Sequence, residues 1–204
     1  MEKTKQKSRW NAQKTWTIVG LGMLTALVVV LQLFASGIKL GEFSITLTLV
    51  PIIVGAALFG WKAGAWLGFA FGMVVLFTPD VTFFMSISVP GTIITVLLKG
   101  ALAGMCAGIA YNLLAKKNQY AAVITAGVVS PVVNTGVFLL GCFMFFFKDY
   151  LSVFAESEGV SIIYFIIFYV IGFNFPLELA VNLILASGIV MIINVVQKHI
   201  VKSK

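Results

Sequence analysis

Three kinds of side chain in this sequence are suited to binding a small polar molecule, and all lie within runs of apolar residues. Lys99 sits about seven residues into the apolar run 92–114, and Glu178 sits about one turn into 175–197. Asn174, Glu178 and Asn182 are spaced by four, which puts them on one face of a helix. Asn134 lies in 120–147, after Ser130-Pro131, a dipeptide expected to break that run. Charged groups in hydrocarbon cost several kcal/mol, so they face a cavity or one another. Two readings follow: a ligand pocket with mostly apolar walls and few placed polar groups, or a Lys99–Glu178 ion pair that only pins two helices. Glu178, near a helix end, would also be satisfied by water. Asn174 and Asn182 are also suited to helix–helix hydrogen bonds.

The chemistry offered is binding rather than catalysis. His199, the single histidine, stands in a basic tail. No nucleotide-binding loop, HExxH, GxSxG or paired carboxylate occurs, and Lys99 has no serine at a recognisable catalytic spacing. Cys106 and Cys142 both lie within apolar runs and form no CxxC or Cys/His cluster, so neither a metal, a cofactor nor a disulfide framework is expected.

The elements that carry these residues must be membrane helices. The chain of 204 residues is 60% hydrophobic and only 10% charged, with a mean hydropathy of +1.07. A soluble domain is about one quarter charged and has no means of hiding so much apolar surface. The net charge of +7 does not indicate nucleic acid, because the basic residues fall in tails and short connections. A spanning helix needs roughly 20 apolar residues. Candidates are 16–35, 45–60, 63–78, 92–114, 120–147 and 175–197. The basic start before the first run imitates a signal peptide, but the run is long enough to span and no cleavage site is clear.

Charge sets the count of spans. With six, Lys3, Lys5, Lys7, Arg9, Lys14, Lys62, Lys116, Lys117, Lys198, Lys202 and Lys204 fall on one side. The other side receives Lys39 and Lys148 with the acids Glu42, Asp80, Asp149, Glu156 and Glu158. That asymmetry places both termini in the cytoplasm. The apolar stretch 160–173 is then an outer re-entrant or interfacial segment. The expected fold is an all-α integral membrane bundle of six helices: a basic tail 1–14, a membrane domain 15–198 and a tail 199–204. In the outer connection 78–91, Phe83, Phe84 and Met85 suit either a lid or an interfacial aromatic belt.

Small residues mark close helix contacts. Gly60, Gly64, Gly68 and Gly72 recur every fourth residue, as do Gly100, Gly104 and Gly108. Such faces let backbones approach in lipid, and internal packing is their simplest use. Gly22 and Ala26 in the first span form a similar pair, suited to packing or to docking a partner.

The segments GEFSITLTLVPIIVGAALFGWKAGAWLGFAFGMVVLF, LLKGALAGMCAGIAYNLL, SPVVNTGVFLLG and NFPLELAVNLIL, in that order, resemble the substrate-binding S components of energy-coupling factor (ECF) transporters from about Thr15 onward. The resemblance implies a multi-pass protein of the bacterial cell membrane that binds a vitamin near the outer face. It also implies docking through small residues of the first helix onto a membrane coupling subunit served by two ATPases. Gly22 and Ala26 would be that motif, with glycine in place of the usual first alanine. The second and third spans look most similar to the pantothenate branch. Lys99 would suit the carboxylate of pantothenate, and Asn134 and Asn182 its amide and hydroxyls. Riboflavin would need a larger aromatic-lined pocket, and a cationic thiamine-like ligand would favour acids and aromatic faces; folate and pyridoxine also remain open. A membrane enzyme and a structural adaptor are the readings from other classes. The first lacks catalytic pairs, and the second gives no reason for polar groups on three helices.

Overall fold

The computed structural model describes residues 2–37, 39–40, 43–44, 48–172 and 174–202. Side chains are described from Lys14 onward, except those of 37–47, 154, 168–170, 173–174, 197 and 199–204. The side chains of Lys39, Glu42 and Asn174, the basic residues before Lys14, and Lys202 and Lys204 therefore lie outside the described residues.

Among the described residues, helices lie over the apolar runs: α1 (Glu2–Gly37), the shorter α2 (Leu49–Phe59), α3 (Trp61–Val75), then after a short α4 (Thr82–Ile87) α5 (Val89–Ala115), α6 (Gln119–Phe145) and, beyond the short α7 (Val153–Ser157) and α8 (Ile162–Phe165), α9 (Asn174–Lys202). A 3-10 turn, Pro79–Val81, leads into α4, and π-helical turns Phe147–Ser152 and Ile166–Ile171 flank α7 and α8. A ladder of two-residue strands, β1 (Lys39–Leu40) and β2 (Phe43–Ser44), pairs antiparallel between α1 and α2. The fold is otherwise helical among the described residues.

Four stretches are long and apolar enough to cross a membrane: Lys14–Ser36, Val89–Ala115, Gln119–Phe145 and Phe175–Val196. A fifth is gained if α3 and Pro79–Ile87, bent by 79°, form one span. The 11 residues of α2 rise only about 16 Å, well short of a ~30 Å hydrocarbon core. Segment 162–171 is helical and of similar length.

Several boundaries differ from the sequence expectation. The break between α2 and α3 falls at Gly60, whose φ of +90° lies in the region that favours glycine. Pro131 does not break α6, which runs through it. α1 begins at Glu2, so the basic tail continues the helix. The turn-rich connection 78–91 contains α4.

The glycine stripes close α3 onto α5. A Cβ at Gly64 would strike the carbonyl of Gly104, and one at Gly68 the carbonyl of Gly100; the converse holds for both partners. At Gly108 a Cβ would stand 2.7 Å from the Cα of Trp61. This contact puts the start of α3 beside the end of α5, so exposed Lys62 shares one end of the bundle with exposed Lys116 and Lys117. One core joins α2, α5, α6 and α9 through Ile53, Ala107, Tyr111, Val123, Ile189 and Ile193. A second joins α1, α2, α3 and α5 through Val28, Ile52, Leu67, Phe71 and Val96. A third, Cys142, Phe146, Leu151, Ala155 and Phe165, packs the 147–165 segment onto the end of α6.

Candidate functional site

Three helices each deliver a pair of polar side chains spaced by four. α5 carries Thr95 and Lys99, α6 carries Ser130 and Asn134, and α9 carries Glu178 and Asn182. Fourfold spacing stacks each pair on one helical face. α5 is started by Ser88, whose side chain accepts from the N–H of Gly91 at 3.2 Å, the usual N-capping role.

Lys99 is half-buried, and its Nζ stands 5.0 Å from the ring centroid of Phe138 on α6, a cation–π distance. Glu178 is buried. Asn134, Asn182, Ser130 and Thr95 are all buried.

An aromatic roof covers the Lys99 end. Phe84 packs edge-on against Phe138 at 5.5 Å, Phe146 at 5.2 Å and Tyr150 at 5.1 Å. Tyr150 in turn meets Phe165 at 5.7 Å. Phe83 is exposed on the rim, 5.7 Å from Tyr150. The α4 segment and the 147–165 segment thus meet through their aromatic rings, and Phe84 links them to Phe138, the ring beside Lys99.

At the other end of the polar column, Asn182 Nδ2 donates to the carbonyl of Gly127 at 3.3 Å. Gly127 is four residues before Pro131, which has no N–H to offer it, so α9 supplies the donor that α6 lacks. The Oδ1 atoms of Asn182 and Asn134 and the hydroxyls of Ser130 and Thr95 are buried with no hydrogen-bond partner among the described residues. Buried polar groups are usually paired, and groups left bare call for an explanation. Among the described residues no group of three His, Cys, Asp or Glu is placed to hold a metal.

Of the residues singled out from sequence, Lys99, Asn134, Glu178 and Asn182 stand on the three inner helices of this column, with Asn182 half committed to helix packing. Phe84 belongs to the roof and Phe83 to its edge. Gly22 and Ala26 lie on a different surface: both are exposed on α1, and nothing stands within 4 Å of a Cβ at Gly22. Sequence reasoning missed Phe138, Tyr150, Thr95 and Ser130. The fourfold spacing of Thr95 to Lys99 and of Ser130 to Asn134 was the available signal for the last two.

No curated protein and no solved structure matches the chain. The family model for the substrate-specific component of ECF transporters matches residues 17–193. Proteins of that family are transport components and not enzymes. They bind small-molecule substrates and work with membrane coupling and ATPase modules. The match spans both the α3–α5 glycine seam and the polar column, and with the spanning helices it makes this a multi-pass membrane protein that belongs to the ECF transporter substrate-specific component family.

Proposed function

We propose that the chain is the vitamin-binding subunit of an ECF importer in a bacterial plasma membrane and that its ligand is pantothenate. The observation that carries this reading is Lys99: one half-buried ammonium, placed among apolar walls beneath an aromatic roof. A ligand carboxylate there makes a charge-assisted hydrogen bond in place of lost water. Asn134 and Asn182 supply amide groups for the rest of the molecule, and Glu178 and Asn174 complete the α9 face. Phe83 and Phe84 close over the bound vitamin.

In this reading the chain crosses the membrane six times with both termini in the cytoplasm, and α2 and α3 cross with help from the segments that flank them. The gathering of Lys62, Lys116 and Lys117 at one end supports that orientation. Gly22 and Ala26 form the face that meets the coupling subunit, which is served by two ATPase subunits. Their exposure on α1 favours docking over internal packing. The ring cluster of Phe84, Phe138 and Tyr150 favours a second ligand, riboflavin, whose flat ring would stack there.

A thermal-shift screen of the purified protein against water-soluble vitamins tests the proposal. Pantothenate should give the largest stabilisation. A dominant shift with riboflavin selects the second reading, and no shift with any vitamin contradicts both.

A further inference from the structure

Ser130, like Thr95, behaves unlike four other helical hydroxyls among the described residues. Thr25, Ser36, Thr92 and Thr125 each donate to the carbonyl four residues back, at 2.7–2.8 Å. That back-bond is the ordinary way a hydroxyl is satisfied in a helix surrounded by apolar groups. Ser130 is fully buried at 0% exposure, yet its Oγ makes neither that bond nor any other among the described residues. It lies three residues along α6 from Gly127, the carbonyl that holds Asn182 in place. Asn182, 1% exposed, keeps its Oδ1 equally bare. A hydroxyl and an amide oxygen, on facing helices, are thus held without partners among the described residues at one end of the column.

We infer that Ser130 and Asn182 form the polar floor of the binding site and fix the ligand end-on, its hydroxyl-bearing end toward them and its carboxylate toward Lys99. This rests on the proposal that the ligand is pantothenate. The floor accepts and donates in the way a ligand hydroxyl needs: Asn182 Oδ1 accepts, and Ser130 Oγ does either. The length fits as well. Ser130 lies eight positions before Phe138, the ring against Lys99, or ~12 Å along the helix. Pantothenate extends ~9 Å over roughly eight bonds, at ~3.5 Å per three bonds, a length of the same order as that rise. The site therefore discriminates by hydroxyls at its floor and by charge beneath its roof.

The test measures binding of the purified full chain, wild type and Ser130→Ala, to three probes. These are pantothenate, the analogue with hydrogens in place of its hydroxyls, and the alcohol analogue that lacks the carboxylate. Thermal unfolding of both proteins without ligand is recorded alongside. Wild type should prefer pantothenate to the deoxy analogue by ~10-fold. In Ser130→Ala that preference should shrink by about 3- to 10-fold, the effect of one neutral hydrogen bond. Its preference for pantothenate over the alcohol should stay as in wild type. The empty variant should be as stable as wild type, since only a bare hydroxyl is removed. An undiminished hydroxyl preference in Ser130→Ala overturns the floor while leaving the carboxylate site standing. A loss of stability with no change in preference also overturns it, assigning Ser130 to a buried water. Absence of pantothenate binding by wild type removes the ligand proposal and this orientation together.

Discussion

Asn182 and Gly127 are joined across α9 and α6 by a hydrogen bond of 3.3 Å, and the carbonyl it satisfies is the one that Pro131 leaves open. Proline in a membrane helix persists when a neighbour re-satisfies the freed backbone group. Asn182→Ala should therefore destabilise the empty protein by ~1–3 kcal/mol, the cost of an orphaned buried acceptor. In a Pro131→Ala background the new N–H at position 131 reaches Gly127, and the same substitution should cost much less. Unfolding in detergent, followed by thermal melts of the four proteins, gives the comparison. Equal losses in both backgrounds would show that Asn182 does not serve the proline.

Gly68 and Gly100 test the seam between α3 and α5. Each would drive a Cβ into the other's carbonyl, with backbone on both sides and no flexible side chain to yield. Gly68→Val should cost more than the ~1–3 kcal/mol of ordinary overpacking and sharply lower the yield of monodisperse protein. Gly136, with nothing within 4 Å of its Cβ position, is the control. Gly136→Ala should purify as wild type does.

Much of this architecture is legible in the sequence because lipid imposes a length on apolar runs and fourfold glycine spacing imposes a seam. The apolar runs fall on helices for that reason, and four of those helices are long enough to span. The site was less legible. Phe138 and Tyr150 are two aromatic residues among 18 Phe and five Tyr, and nothing local distinguishes rings that roof a site from rings that face lipid. Ser130 stands in the sequence only beside Pro131 as a break, because sequence cannot show that Asn182, 55 residues beyond Gly127, repairs the helix there. Gln32 drew no notice either, though it accepts from Thr48 at 3.0 Å and ties α1 to the start of α2.

Docking and binding should separate. Gly22 and Ala26 are exposed on α1, away from the polar column. Changing both to Leu should abolish uptake in cells that hold the complete transporter while vitamin affinity of the isolated subunit stays within about 2-fold, because helix contact in lipid depends on small residues at the face. Loss of affinity as well would assign the pair to internal packing.

Orientation is checked by single cysteines placed in a background in which Cys106 and Cys142 are replaced. Ser157 is exposed near the acidic end, and Ser203 follows α9. A membrane-impermeant thiol reagent on intact cells should label position 157 and spare 203. Labelling of both from outside would overturn the six-span arrangement.

The role of Lys99 is the point on which the functional account stands. Titration calorimetry of pantothenate into wild type, Lys99→Met, Glu178→Gln and the double variant measures it directly. A charge-assisted hydrogen bond worth roughly 1.5–3 kcal/mol predicts that Lys99→Met binds about 10- to 100-fold more weakly. The same substitution should leave the empty protein no less stable. If Lys99 serves only as the counter-ion of Glu178, Lys99→Met instead strands a buried carboxylate. It then lowers stability, and Glu178→Gln restores part of it. Unchanged affinity in Lys99→Met, with strong stability coupling to Glu178, would contradict the carboxylate-binding account.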